Sequence, residues 1–243
     1  MLPILTFVLT FLPTVLLMTY FYRRDRNREP RKVLTGTFLL GVFVFIPVVF
    51  VENLFSSFGI LSHAHPLVFN LYDMFANVAI PEESFKLLVV ILYCARTKAF
   101  DEPMDGILYG VTAALGFATI ENIFYVIGGG FGTALTRAIL SVPSHAFWGA
   151  ILGYSVALVR FKGKGKITIL YGLLAAASLH SIFNYLLLTI EGSTAYSAAV
   201  SGFMILGLLH ILFIVFAIEI IWILRIVRRL RKEQDQIAAQ EAE

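Results

Sequence analysis

Long apolar runs separated by short polar connections set the rhythm of this chain. Seven of them, roughly 2–22, 33–55, 81–96, 104–127, 134–159, 167–190 and 197–224, have lengths suited to helices that cross a hydrocarbon core. None alternates with the period of two that marks a barrel strand. The pattern predicts an all-α, polytopic transmembrane helical bundle of about seven spans. Residues 1–232 form a single multi-pass domain, and the polar stretch 233–243 is expected to fray as a tail.

Composition removes the soluble alternative. Of 243 residues 58% are hydrophobic and 14% charged, with a mean hydropathy of +0.83. A soluble domain of that make-up would expose too much apolar surface. Cys94 is the only cysteine, so disulfides do not staple the fold.

Charge supplies the topology. The net charge is +3, and 17 of the 19 Lys and Arg residues lie at 23–32, 96–98, 160–166 and 225–232. These are alternate connections, which the positive-inside rule assigns to the cytoplasm. The N-terminus is then outside and the C-terminus cytoplasmic, in a cell membrane, as for a bacterial cytoplasmic membrane protein. This distribution favours a lipid bilayer over nucleic acid as the partner of the positive charge. The first run has no basic leader and no small-residue cleavage site, so it reads as a span and not as a removed signal.

Two basic residues fall outside those blocks. Arg137 opens the fifth run, where it can snorkel to the outer surface. Lys86 lies inside a run, one helical turn from Glu82 and Glu83. Charge within a bilayer is expensive and usually marks a working site. Four stretches share this property: Pro81–Lys86, Glu121-Asn122, Ser144-His145 and His180–Asn184. At a rise of 1.5 Å per residue, Glu83, Glu121, His145 and His180 each lie about 20–24 Å from the nearest cytoplasmic charge. That is one layer in the outer half of a core about 30 Å thick. His210 falls at the same depth but stands alone, and reads as a packed structural residue.

Each motif has a chemistry. Pro81 suits the first turn of a helix, so the third span is expected to begin there, with Glu82 and Glu83 at its N-terminus. Such a pair can share a proton, leaving one carboxylate as a base toward water. The plainer reading is a helix cap paired with Lys86. His180 and Asn184 share a helical face and can donate together to an oxyanion, or simply bond neighbouring helices. Pro143 should kink the span that carries His145. Glu121 and Asn122 can orient a histidine, bind substrate or make a structural hydrogen bond. Gly106, Gly110 and Ala114, and Gly149 and Gly153, form small-residue faces for close packing. Glu219 is expected to pair with Arg225 near the inner surface and is left out of the site. The stretch 56–80 is an outer connection whose apolar part, 66–80, can re-enter the membrane over the site.

Taken together, the EExxK of Glu82, Glu83 and Lys86, the Gly116–Asn122 stretch, the His145 segment and the HxxxN of His180 and Asn184 resemble the PrsW-type intramembrane proteases. These are relatives of the CAAX prenyl endopeptidases and bacteriocin-processing proteases. The resemblance covers about residues 75–190. It implies hydrolysis of peptide bonds in a transmembrane protein substrate, such as an anti-sigma factor, near the extracytoplasmic side. It further implies a water activated by Glu82 or Glu83, positioned with help from His145, with His180 and Asn184 stabilising the oxyanion. Lys86, Glu121 and Asn122 would support them. No cofactor is implied. The residues leave open an alternative zinc site of Glu83, His145 and His180, although the HExxH of soluble zinc proteases is absent.

Two other function classes compete. A proton-coupled transporter also buries Glu and His, but needs polar residues along a through path, and the cytoplasmic halves of the runs offer few. A catalytically dead scaffold would keep the glycines and lose the polar layer. The oligomeric state is not encoded in any of these patterns.

Overall fold

The computed structural model describes residues 2–193 and 198–240, and these residues form helices and no strands. In order they are α1 (Leu2–Arg24), α2 (Arg31–Phe43), α3 (Phe45–Ser57), α4 (Pro66–Tyr72), α5 (Ile80–Leu92), α6 (Pro103–Thr136), α7 (Val142–Phe161), α8 (Ile167–Ser193) and α9 (Ala198–Gln240). Wide π-helical turns, Asp73–Ala79 and Arg137–Ser141, lead into α5 and α7. Among the described residues five helical runs are long and apolar enough to cross a membrane: Leu2–Arg24, Arg31–Ser57, Pro103–Phe161, Ile167–Ile190 and Gly202–Gln240. Large apolar side chains such as Phe7, Ile46, Ile127 and Phe203 are exposed on the perimeter, as lipid-facing groups are. The chain is an all-α polytopic membrane protein.

The 59-residue run Pro103–Phe161 contains two of the expected spans. Gly130 divides it, with φ +67° and ψ −150°, a conformation that a Cβ would strain. The chain reverses there, because Gly106 packs on Gly153 and Gly110 on Gly149. Each of these glycines would drive an added Cβ to 2.5 Å or less from a carbonyl oxygen of the facing helix. Backbone therefore lies on backbone, the approach that small residues permit where lipid gives no hydrophobic drive between helices. Gly41 and Gly116 make a similar contact between α2 and α6.

Cross-links at one end gather the basic connections. Arg26 pairs with Asp235 at 2.9 Å, Arg231 donates to the Arg24 carbonyl, Arg160 to that of Ala95, and Lys162 pairs with Glu233 at 2.8 Å. The alternation of charge along the sequence thus becomes a single basic end of the bundle.

Three expectations are corrected. The third span does not begin at Pro81: helix runs from Pro66 through the π turn to Leu92, and Ala79 and Ile80 are both helical. The wide turn before Pro81 makes room for a ring that lacks an N–H, so Glu82 and Glu83 occupy a continuing helix and not a free N-terminus. Residues 66–80 are accordingly part of that helix. The tail does not fray at Glu233, because α9 continues to Gln240 and Gln234 is buried against Asp25 and Glu102. The first residue of the expected seventh run, Ser197, and the last three of the tail lie outside the described residues.

Candidate active site

Two prolines that follow wide turns aim the polar layer inward. Pro81 precedes Glu82 and Glu83, and Pro143 precedes Ser144 and His145. Interrupted helical ladders of this kind recur at functional sites. All of these side chains are removed from solvent and lipid, with Glu83 at 0%, Lys86 at 1%, His180 at 1% and His145 at 3% exposure.

Lys86 is the hub. Its ammonium group donates to Glu82 Oε2 at 2.9 Å, Glu83 Oε1 at 2.8 Å and His145 Nδ1 at 3.0 Å, and lies 4.2 Å from the centre of the Phe117 ring. Three protons meet three acceptors, so the amine is saturated. The tautomer of His145 follows. Its Nδ1 accepts from Lys86, and its Nε2 donates to Glu121 Oε2 at 3.0 Å. Glu121 is held in turn by Arg137 Nη2 at 2.5 Å, and Asn122 Oδ1 accepts from Arg137 Nε at 2.9 Å.

His180 reads the same way. Its Nδ1 donates to Glu83 Oε1 at 2.9 Å, and its Nε2 accepts from Asn184 Nδ2 at 3.0 Å. His180 and Asn184 therefore face one another here and do not converge on a third point. Trp148 covers His180, stacked at 4.2 Å and 15°, and its Nε1 donates to Glu219 Oε1 at 3.0 Å.

Every residue expected in the site is in one connected network with the others. Two more that were set aside, Arg137 and Glu219, also belong. Arg137 is 8% exposed and does not snorkel, because Glu121 and Asn122 give it buried acceptors. Glu219 bonds the indole of Trp148 rather than Arg225. An acid inside the last apolar run was the signal for it, by the same reasoning that singled out Glu121. Trp148 gave no such signal, since a tryptophan in an apolar run is ordinary. His210 stays apart, bonded to the Leu206 carbonyl.

Three carboxyl groups, Glu82, Glu83 and Glu121, share two cations, Lys86 and Arg137, in a buried cluster. Glu82, His145 and His180 each offer a ligand atom within 4.8 Å of the other two. This trio differs from the one suggested by sequence in having Glu82 where Glu83 was expected. Two imidazoles and a carboxylate are a donor set that zinc accepts. Glu121 already accepts from the Nε2 of His145, as an outer partner does around a metal. The residues thus fit a divalent cation, with the Lys86 ammonium now against two of the three ligands.

Residues 29–222 match the family described as PrsW family intramembrane metalloprotease. The chain belongs to the PrsW family. It is 36% identical to Protease PrsW of Geobacillus kaustophilus over 74% of this chain and 78% of that one. It is 31% identical to Protease PrsW of Oceanobacillus iheyensis, over 80% of this chain and 86% of the relative. The corresponding protein of Bacillus subtilis is 31% identical over 76% and 83% of the two chains. No solved structure matches. As a member of the PrsW family the chain is a membrane-embedded peptidase, and the network just described is its candidate active site.

Proposed function

We propose that this protein cuts transmembrane protein substrates with a water activated by the Glu82–Glu83 pair. One observation carries the reading. Glu83 Oε2 is buried with no hydrogen-bond partner among the described residues, while Oε1 of the same group is fixed by Lys86 and His180. A carboxylate held by one oxygen and bare at the other is suited to take a proton from water. In this scheme the water oxygen bonds to the scissile carbonyl carbon and its proton goes to Glu83. That proton then passes to the departing amine nitrogen as the C–N bond breaks. His145, whose two ring nitrogens bond Lys86 and Glu121, helps place the water by fixing the Lys86 ammonium beside Glu83. Asn184 keeps a second amide hydrogen for the developing oxyanion, and His180 holds that amide through its Nε2. No covalent intermediate forms.

The substrate segment has a place to lie. An apolar cavity of about 450 Å³ runs between Val68, Leu71, Tyr72, Phe75 and Ser181, the residue after His180 in the chain. The Oγ of Ser181 is buried without a partner among the described residues, a group ready to bond an unwound substrate backbone. From the distribution of basic residues we infer cleavage in the outer half of the membrane, a reading that suits an anti-sigma factor as substrate.

A zinc-dependent reading has the Glu82, His145 and His180 set behind it. A bound Zn²⁺ would supply Lewis acidity and a water of lowered pKa. Glu83 remains the base in that version. A proton-coupled transporter is disfavoured, because α6 carries no charged or histidine side chain between Asp105 and Glu121, over about 24 Å.

The test uses purified protein in nanodiscs with a fluorogenic library of membrane peptides. Cleavage should disappear in Glu83→Gln and His180→Ala. Activity that survives exhaustive chelation supports the glutamate reading; loss on chelation with return on adding Zn²⁺ supports the metal reading. Undiminished cleavage in both variants would end the proposal.

A further inference from the structure

A second polar cluster lies at the basic end, and nothing in the peptidase chemistry uses it. Asp25 and Glu29 come from the connection between α1 and α2, Glu102 caps the start of α6, and Asp105 sits in its first turn. Asp25, Glu29 and Asp105 are buried, at 2%, 4% and 0% exposure. Hydrogen bonds pin one oxygen of each aspartate. Asp105 Oδ2 accepts from the backbone of Asp101 and Glu102 at 2.9 and 2.7 Å. Asp25 Oδ1 accepts from Asn27 N at 3.1 Å and Gln234 Nε2 at 2.8 Å. The other oxygens, Asp25 Oδ2 and Asp105 Oδ1, are buried and have no partner among the described residues.

One oxygen from each of Asp25, Glu102 and Asp105 lies within 4.8 Å of the other two. Glu29 joins at the side, where it accepts from the Tyr109 hydroxyl. No lysine or arginine among the described residues forms an ion pair with any of the four. Arg231, which acts on Asp25 from a distance, is engaged by Asp235 at 3.4 Å and the Arg24 carbonyl at 3.2 Å. Burial raises the pKa of Asp25, Glu29 and Glu102 above the ordinary carboxylate range. Buried carboxyl groups without a counter-charge are costly to ionise, and the two bare oxygens lack a donor.

We propose that Asp25, Glu102 and Asp105, with Glu29 beside them, bind a hard divalent cation, Mg²⁺ or Ca²⁺. Both ions take oxygen ligands, and carboxylate oxygens are all that this cluster offers; without His or Cys it is ill-suited to zinc. The site shares no residue with the peptidase centre and lies about 24 Å from Glu121 along α6. It has a structural consequence. Gln234 on α9 donates to Asp25 and to Glu102, and accepts from Arg26 N at 3.3 Å. Cation binding therefore fastens the end of the last helix to the first connection and to the start of α6.

The experiment uses the full chain in nanodiscs, stripped with EDTA, then titrated with MgCl₂ or CaCl₂ against KCl of equal ionic strength. One of the two ions should raise Tm saturably, by roughly 5–10 °C at a hundredfold excess over Kd. It should also slow backbone amide exchange over residues 225–240. Both effects should vanish in Asp25→Asn and Asp105→Asn and persist in His145→Ala. Mn²⁺, counted by electron paramagnetic resonance on the unaltered chain, should fill a site that Mg²⁺ or Ca²⁺ empties, which keeps the test open if a variant does not fold. Absence of such a site, or equal Tm shifts in the unaltered chain and the two aspartate variants, would overturn the proposal.

Discussion

Replacing Gly153 by Ala tests whether the glycine seam between α6 and α7 sets the active-site geometry. An added Cβ would lie 1.8 Å from the Gly106 carbonyl oxygen, and Cβ contacts below 3.0 Å are essentially never seen. The obstacle is backbone, which cannot rotate away as a side-chain end could. The two helices must then part by about 1.2 Å. Glu121 is on α6 and His145 on α7, and their hydrogen bond is 3.0 Å long. Opening by the same amount takes it past about 4 Å, beyond hydrogen-bond range. Overpacking of this kind costs about 1–3 kcal/mol, which lowers Tm by roughly 2–12 °C for a chain of this size. Misplacing a catalytic group by 1 Å costs about a hundredfold in rate. The assays are thermal unfolding in nanodiscs and peptide cleavage at a temperature where the variant is folded. Gly132→Ala is the control, because nothing lies within 4 Å of the Cβ it would add. If Gly153→Ala matched the control in both assays, the backbone contact would not be as drawn. A drop in Tm with full activity would break the link between seam and site.

Two further substitutions probe the supports of the histidines. Arg137→Met leaves Glu121 buried without its cation, a loss of about 3–5 kcal/mol; the double variant Arg137→Met/Glu121→Leu should regain much of that stability in denaturant titration but not activity, since His145 has lost its acceptor. Glu219→Ala strands the indole N–H of Trp148 at about 1–3 kcal/mol and should lower kcat more than it changes KM, with a shift in tryptophan emission; Glu219→Gln, which keeps an acceptor, should restore most of both, and equal kcat in all three proteins would remove Glu219 from the positioning set.

Much of the helical architecture could be read from the apolar runs, because in lipid the backbone has few options besides helix. The four polar stretches were equally plain, since a charge in such a run has no innocent explanation at the surface. What escaped depends on how helices rotate and cross. The wide turns before Pro81 and Pro143 leave no trace in composition, so a helix start was inferred where a helix continues. Arg137 looked like an interfacial residue because its acceptors, Glu121 and Asn122, sit about fifteen positions upstream, on the helix before the turn. Glu219 was placed with its sequence neighbour Arg225, when the partner that matters lies on α7. The acidic cluster at the basic end was missed for the opposite reason: aspartates and glutamates beside arginines read as ordinary loop charge until Gln234 folds back to bury them.

The wide turns also define how this sequence can be edited. A π turn uses one residue more than an α turn, so everything after it is rotated by about 100° relative to an unbroken helix. Glu82, Glu83 and Lys86 face inward only because Asp73–Ala79 supplies that offset. If those residues closed as a regular helix with none removed, the carboxylates would swing off the histidines toward lipid. Deleting a single residue there would let the ladder close with the offset cancelled, because the wide turn and the shortened regular turn advance by nearly the same angle. Turn width and chain length between 73 and 79 are thus two settings of one register for the buried polar side chains.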